Sequence, residues 1–423
     1  MTEIDTATVD CSISLAQSKL QSIKVGLEGS FNSTGLFGIT PSLAYAHKNI
    51  FGGGEQFDLS FQGDFQFKFN DNTRATEFAI NSSLTFPKFL LLPSRIFNSV
   101  IPKTEITLSF SSQNRPEYTR GIISTSYGYK WNNTQNMYYS VLPIKLNLVR
   151  IFDIDPAFYR NLTDPYLINA YQNHLDIGSA GTFYYTTDPS VNPKSTYFYT
   201  RLTINGSGNV LYLFRDIMAK DSTGSALIAS VPFAQYVRAE ISAVQTIRFG
   251  RDDKMAIAGR LLAGAGFAYG NSSALPFEQL FSAGGANSLR GWRARTVGPG
   301  GAPMDESFTI ANQTGDIHLE ANLEFRFPMF WKMQGAAFVD AGNIWNLDTG
   351  EQRDPRSLFH FNDFIKSCAM DWGFGLRLDF DMILIRLDWG LKTYDPRNAR
   401  WYGPKEWFSA DGYALNFGIG YPF

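Results

Sequence analysis

Residues 57–69 decide the fold: Phe57-Asp58-Leu59-Ser60-Phe61-Gln62-Gly63-Asp64-Phe65-Gln66-Phe67-Lys68-Phe69. Phenylalanine, leucine and one glycine occupy the odd positions, and polar residues occupy the even ones. This alternation is typical of a β-strand with one apolar and one polar face. Strands of soluble proteins average about 5 to 6 residues, whereas a tilted strand needs about 9 to 11 to cross an outer membrane. The length of the run therefore favours a membrane-crossing strand.

The same alternation recurs along the chain, for example at 317–327 and 413–421. Such runs predict sixteen strands, at 22–31, 38–48, 56–69, 76–86, 103–113, 120–131, 136–149, 174–186, 195–206, 232–248, 254–269, 316–327, 333–343, 370–380, 382–393 and 412–423. An even number is typical of bacterial single-chain barrels, and closure removes the unpaired edges that hydrocarbon does not tolerate. We therefore expect an all-β fold, a sixteen-stranded antiparallel transmembrane β-barrel over residues 21–423.

The composition excludes several classes of partner. Charged residues make up 18% of the chain and the formal net charge is -2, so there is no overall field to attract nucleic acid. The two cysteines, Cys11 and Cys368, are too few for a disulfide framework. We interpret them as packing residues, with a single bridge between them as the alternative.

The sequence contains no constellation that indicates catalysis. The four histidines are spread singly, without the spacing of a zinc site. Glycines 264 and 266 lie inside an alternating strand with no helix after it, so the context of a nucleotide-binding loop is missing. No Gly-x-Ser-x-Gly elbow is present. We expect no catalytic residues, no cofactor and no metal.

The longest predicted connection, 270–315, contains the stretch Ser288-Leu289-Arg290-Gly291-Trp292. This stretch resembles the Arg-Gly-aromatic motif in the sixth outside loop of the BamA/TamA superfamily of outer-membrane assembly factors. Residues 323–328 and 338–345 are similar to the family's twelfth and thirteenth strands, and 418–423 resembles the C-terminal aromatic signal of barrel proteins. The resemblance implies a long loop folded into the barrel lumen.

Arg290 sets the chemical requirement of this loop. A guanidinium inside a lumen loses hydration and needs acceptors, and its planar fork suits carboxylates. Glu324 and Asp340 lie on the inward-facing positions of neighbouring predicted strands, so they are the natural partners. The alternative is a solvated Arg290 above a wet, acid-lined lumen. Arg377, Arg386 and three aspartates are interpreted as a cross-strand charge ladder facing the lumen, with a catalytic pair as the alternative; the aspartates are Asp379, Asp381 and Asp388.

The two ends of the barrel predict a weak lateral seam. The first strand is short and polar in places, and the last contains glycines, which have no side chain to pack and weaken strand pairing. The alternative is that these glycines are simple packing choices. The residues assigned to the seam are Ile23, Val25 and Leu27 of the first strand and Phe417, Gly418, Gly420 and Phe423 of the last. Residues 1–20 are predicted to be the remnant of a preceding periplasmic POTRA domain.

The resemblance implies an integral protein of the bacterial outer membrane that folds and inserts other β-barrel proteins. Its partners would be outer-membrane lipids, unfolded barrel clients and accessory periplasmic or lipoprotein subunits. The alternative is a passive pore or a two-partner secretion translocator with the same barrel. Ion conductance through the lumen would distinguish a pore or translocator from an assembly factor whose lumen is plugged.

Overall fold

The computed structural model describes residues 19–31, 37–68, 73–93, 101–161, 168, 171–190, 193–304, 313–347, 353–380 and 383–423. Nearly all of the predicted periplasmic remnant, 1–20, therefore lies outside the described residues, as do Cys11 and Asp381. Only Lys19 and Leu20 of that segment are described, and they lead directly into the first strand.

Among the described residues, sixteen strands of seven residues or more form the wall, as the alternation predicts, and these are called the long strands. They are β1 (Gln21–Phe31), β2 (Phe37–His47), β3 (Gln56–Phe67), β4 (Arg74–Phe86), β5 (Ile101–Asn114), β6 (Tyr118–Thr134), β7 (Met137–Ile154), β8 (His174–Thr186), β9 (Tyr197–Ser207), β10 (Tyr236–Phe249), β11 (Met255–Ala268), β12 (Ile317–Pro328), β13 (Met333–Trp345), β14 (Ala369–Asp379), β15 (Leu384–Asp395) and β16 (Tyr413–Ile419).

Each long strand pairs antiparallel with the next long strand in the chain, from β1 to β16. One large sheet therefore forms the barrel wall. None of the helices in the described part of the chain is long and apolar enough to cross a membrane.

The strand ends differ from the predictions by four or five residues in three places. β7 continues to Ile154, beyond the predicted end at 149. β10 begins at Tyr236 rather than at 232, because Leu227–Ile228 and Val231–Pro232 pair as a small separate hairpin. The last strand ends at Ile419, because Gly420 takes a φ of +82°. This left-handed conformation is readily adopted by glycine, and the chain leaves the wall there.

The first strand has nearly its predicted bounds, and the last strand is the shorter of the two at the seam. β1 has 11 residues, all paired with β2, whereas β16 has 7. The reason is the turn at Gly420, which removes the last residues of the chain from the sheet. The two strands at the seam therefore differ in length because the last strand is short.

The two faces of the wall follow the alternation. On β12, Leu323 and Phe325 point outward and are exposed, whereas Glu320, Asn322 and Glu324 point inward and are buried. By contrast, the inward-pointing residues Gln62 of β3 and Asn81 of β4 are exposed. The lumen is therefore filled on the β12–β16 side and open beside β1–β5.

The five longest connections, 155–173, 208–235, 269–316, 346–368 and 396–412, lie at one mouth of the barrel. Short turns at 135–136, 250–254, 329–332 and 380–383 lie at the opposite mouth, where the connection 87–100 is the long exception. This asymmetry is typical of outside loops and periplasmic turns. The first long connection contains a short helix, α1 (Pro156–Asn161), whose N-terminus is capped by the Asp155 carboxylate through the backbone N–H groups of Ala157 and Phe158.

Candidate functional site: a luminal ion network under the outer loop

The connection between β11 and β12, hereafter the luminal loop (269–316), packs against the inner wall. Backbone bridges join Phe281 to Gly315 and Ala283 to Val297. A buried apolar cluster continues from the loop to β13 and to β14; its members are Phe281, Ala283, Leu289, Trp292, Val297, Ile344 and Ala369. The loop motif is therefore held in a fixed position inside the barrel.

Arg290 is fully buried and makes a two-pronged contact with Asp340. Its Nε and Nη2 donate to the two Asp340 carboxylate oxygens over 2.8 and 2.9 Å. Its Nη1 pairs with Glu324, and its guanidinium carbon lies 3.5 Å from the ring centroid of Phe338. The structure thus brings together the three charged residues that the sequence singled out, in the planar geometry that suits a guanidinium.

The ion pairs continue beyond these residues. Glu324 also accepts hydrogen bonds from Arg326 Nε at 2.8 Å and Arg377 Nη2 at 3.0 Å. Asp388 accepts from Arg377 Nη1 at 2.5 Å and from Arg386 Nη1 at 2.8 Å. Every one of these buried charges has a counter-ion, and an unpaired charge at such depth would cost several kcal/mol. We call the set Arg290, Glu324, Arg326, Asp340, Arg377, Arg386 and Asp388 the luminal ion network.

The wall also holds the backbone of the motif. Asn416 of β16 donates from Nδ2 to the Arg290 carbonyl oxygen over 2.7 Å. On β12, Asn322 Nδ2 donates to the Ser288 carbonyl oxygen over 3.2 Å, and Ser288 Oγ donates to Glu320 over 2.5 Å. The motif therefore joins strands from β12 to β16.

The remaining motif side chains serve packing. Leu289 and Trp292 are almost completely buried. Lys392 Nζ lies 4.3 Å from the Trp292 ring centroid and the Arg397 guanidinium carbon 5.3 Å from it, distances at which cations are attracted to an aromatic face. The aromatic position of the motif thus packs beneath two cations of the outer rim.

Two glycines allow the loop to approach the wall. A Cβ on Gly291 would lie 2.5 Å from Cβ of Asp371, and a Cβ on Gly390 would lie 2.3 Å from the Arg290 carbonyl carbon and oxygen. Both contacts are far shorter than van der Waals distance. Only glycine at these two positions therefore permits the observed docking.

Sequence reasoning missed part of this site. Arg377, Arg386 and Asp388 face the lumen and pair across strands, and through Glu324 they also join the ion pairs of Arg290, a connection that the sequence did not indicate. Their inward positions on β14 and β15 were the available signal. Nothing in the local pattern indicated Asn416 or Gly390, since their role depends on where the loop lies.

On the seam, the structure places Ile23, Val25 and Leu27 on the outer face of β1, where they are 71%, 82% and 74% exposed. Outward residues on strands with two neighbours are less exposed, such as Leu323 and Val339, each at 54%. Among the described residues, no backbone ladder joins β1 to β16. The apolar side chains of β1 are therefore covered on one side only.

The last-strand residues assigned to the seam are divided. Phe417 points outward and is exposed, while Gly418 faces inward, where its missing side chain leaves room for the Arg386 guanidinium. Gly420 marks the turn out of the wall. The assignment of Phe423 to the seam is wrong: its ring lies in the lumen, 5.2 Å from the guanidinium carbon of Arg260.

The arrangement is suited to holding a loop rather than to chemistry on a substrate. In the part of the chain that the structure describes, no group of three His, Cys, Asp or Glu residues could hold a metal ion. Cys368 lies at the outer end of β14, where its Sγ contacts the Phe364 carbonyl oxygen at 3.4 Å, and burial raises the pKa of this thiol to about 11.

Fold and site together define an integral β-barrel of the bacterial outer membrane with a long loop docked in its lumen. Residues 49–423 match the Omp85 superfamily domain, and the chain belongs to this superfamily. Its function therefore lies in outer-membrane protein insertion or secretion.

Solved structures support the fold. BamA from Haemophilus ducreyi lacking POTRA domains 1-3 has a TM-score of 0.63 and 16% identity, over 95% of this chain and 70% of that one. CdiB from Escherichia coli has a TM-score of 0.53 and 13% identity, over 96% and 63%. Comparison with curated protein sequences finds no match. The chain thus spans less than two thirds of CdiB, and at these identities the likeness concerns the fold.

Proposed function

We propose that the protein is an assembly factor that folds and inserts β-barrel clients into the outer membrane through the seam between β1 and β16. The proposal is carried by the exposed edge of β1, whose outward residues are 71% to 82% exposed. A strand edge without a partner presents backbone donors and acceptors to an incoming strand. Such an edge is the element that an unfolded barrel protein can use.

The step is strand addition rather than catalysis. A client strand would pair with the edge of β1 by main-chain hydrogen bonds, and its alternating side chains would face lipid and lumen as those of β1 do. No covalent bond is made or broken, so no cofactor or metal is required. The seven residues of β16 offer few pairing positions to compete with the client.

The luminal ion network supports this action by fixing the strands on one side of the seam, β12–β16. Arg290 joins β12 and β13 through Glu324 and Asp340, and Asn416 joins the same loop to β16. A seam can open without loss of the barrel when the strands beside it are held elsewhere. We further propose that the segment 1–20 connects the barrel to periplasmic domains, and that these recruit clients and accessory subunits.

A reversible crosslink across the seam tests the proposal. In a variant with both native cysteines replaced by serine, Val25→Cys and Leu415→Cys are introduced together and oxidised. The control pair is Leu43→Cys with Phe61→Cys, which are register partners on β2 and β3. Insertion of a purified barrel client into liposomes should stop in the oxidised seam variant, return on reduction, and be unaffected in the control. Full insertion by the crosslinked seam variant would contradict the proposal.

A second candidate is secretion of a polypeptide through the lumen. It is favoured by a cavity of about 400 Å³ beside β1–β5, whose lining includes small polar residues such as Ser60, Asn81 and Ser109 together with the charged residues Lys24, Lys48 and Asp58. This mixed lining leaves room in the part of the lumen that the loop does not fill. Steady conductance of the purified barrel in a planar bilayer, together with normal function of the crosslinked seam variant, would favour secretion over insertion.

A further inference from the structure

The luminal loop has a second anchor near its start, at the short helical turn Phe277–Gln279. We propose that this anchor is a latch for the outer mouth: the segment 277–279 releases from the wall and opens the lumen while Phe281 and the Arg290 motif stay docked. The latch concerns passage through the lumen and goes beyond the seam function proposed above.

Glu278 is the charged element of the latch. Its carboxylate pairs with Arg120 of β6 and lies 3.5 Å from Nε2 of His174 at the start of β8. Arg120 is oriented by a second hydrogen bond, from its Nε to Gln113 Oε1 at 2.8 Å. One loop carboxylate thus joins two strands that are themselves separated by β7.

Aromatic packing surrounds this ion pair. The Phe277 ring lies 4.6 Å, between centroids, from Tyr171, which in turn contacts Tyr118 and Phe158. These four residues form a buried cluster at the outer mouth. The latch therefore also ties the loop to α1 and the connection that follows β7.

A third contact lies on β10. Arg238 Nε donates to the Gln279 carbonyl oxygen over 2.9 Å, and its guanidinium carbon lies 3.9 Å from the Phe281 ring centroid. The latch is thus bound to β6, β8 and β10, whereas the motif is bound to β12–β16. In a barrel of sixteen strands, β6 and β14 are half a turn apart, so the loop spans the mouth from wall to wall.

The two anchors differ in burial, and this difference decides which one opens. The ion pairs of Arg290 with Glu324 and Asp340 are fully buried, whereas in the latch the side chains of Arg120 and Glu278 are 8% and 23% exposed, although the aromatic cluster beside them is buried. A polar cavity of about 340 Å³, lined by His174 and Pro276 among others, lies beside the latch. Local opening starts where fewest contacts are buried, so the latch releases before the motif.

The charge state of Glu278 suits a latch that is normally closed. Burial raises the pKa of this carboxyl group, but the hydrogen bond from His174 and the charge of Arg120 outweigh that effect, and the net pKa is lowered. Glu278 is therefore ionised at neutral pH and keeps its attraction to Arg120.

Ion conductance of the full chain in a planar bilayer tests the latch. Glu278→Gln should increase the fraction of time spent open roughly tenfold or more, because a charge-assisted contact is lost. Phe277→Leu, which keeps an apolar side chain, should act in the same direction. Glu105→Gln is the matched control, because Glu105 is an ion-paired carboxylate of similar exposure on β5, away from the loop.

Thiol labelling shows which end of the loop moves. In cysteine-free protein, Gln279→Cys reports on the latch and Ala286→Cys on the region of the motif. With Glu278→Gln added, labelling should accelerate at position 279 and stay unchanged at 286. Equal acceleration at both positions would overturn the proposal, since the loop would then leave as one body. Unchanged conductance in both Glu278→Gln and Phe277→Leu would overturn it as well.

Discussion

Replacement of Arg290 by alanine should release the motif from the wall. Glu324 would keep its contacts with Arg326 and Arg377, but Asp340 would lose both prongs of its guanidinium partner and retain the Asn322 amide at 3.0 Å. A buried carboxylate left without its counter-ion costs about 3 to 5 kcal/mol. The population of the undocked motif should therefore rise roughly 150- to 5000-fold.

Limited proteolysis measures this change. When the loop opens and closes faster than it is cut, the cleavage rate follows the population of the open form. Cleavage within 281–297 should therefore accelerate by at least two orders of magnitude in Arg290→Ala, while the barrel remains folded by heat-modified gel mobility. Arg290→Lys should show an intermediate rate, because it keeps the charge but loses the planar fork.

Arg293→Ala is the matched control, since Arg293 is an exposed arginine three positions along the same loop. It should change the cleavage rate little. The reasoning is refuted if Arg290→Ala is cleaved within threefold of the wild-type rate, because the buried ion pairs would then contribute nothing to docking.

Three further outcomes are expected. Gly390→Ala should weaken loop docking by about 1 to 3 kcal/mol, seen as faster cleavage of the loop, whereas Gly181→Ala, with no atom within 4 Å of the added carbon, should not; equal rates would argue against the close approach. A spin label at Phe61 should contact lipid and one at Gln62 should contact water, and the reverse pattern would show a wrong register of β3. Cys368 should react with iodoacetamide roughly 100-fold more slowly at neutral pH than an ordinary thiol, because its pKa is raised to about 11; a rate like that of a free thiol would contradict this burial.

The positions of the strands, and the side of the wall on which each side chain lies, could be predicted from the sequence because both are local properties. A period of two assigns each residue of a wall strand to lipid or lumen without knowledge of any other strand. Glu324 and Asp340 were found in this way, since their inward positions follow from their own strands. The start of β10 and the end of β16 could not be predicted in this way. A small hairpin displaces the start of β10, and the turn at Gly420 ends β16.

The sequence by itself determined a barrel of sixteen alternating strands with a long loop carrying an arginine. Only the tertiary structure decided the partners of that loop on the wall: Asn416 lies 126 positions from Arg290 in the chain, and Arg120 lies 158 from Glu278. It also placed Phe423 in the lumen rather than at the seam. The physical reason is that alternation follows from the geometry of one strand, whereas these contacts depend on how the curved sheet brings distant residues around a common lumen.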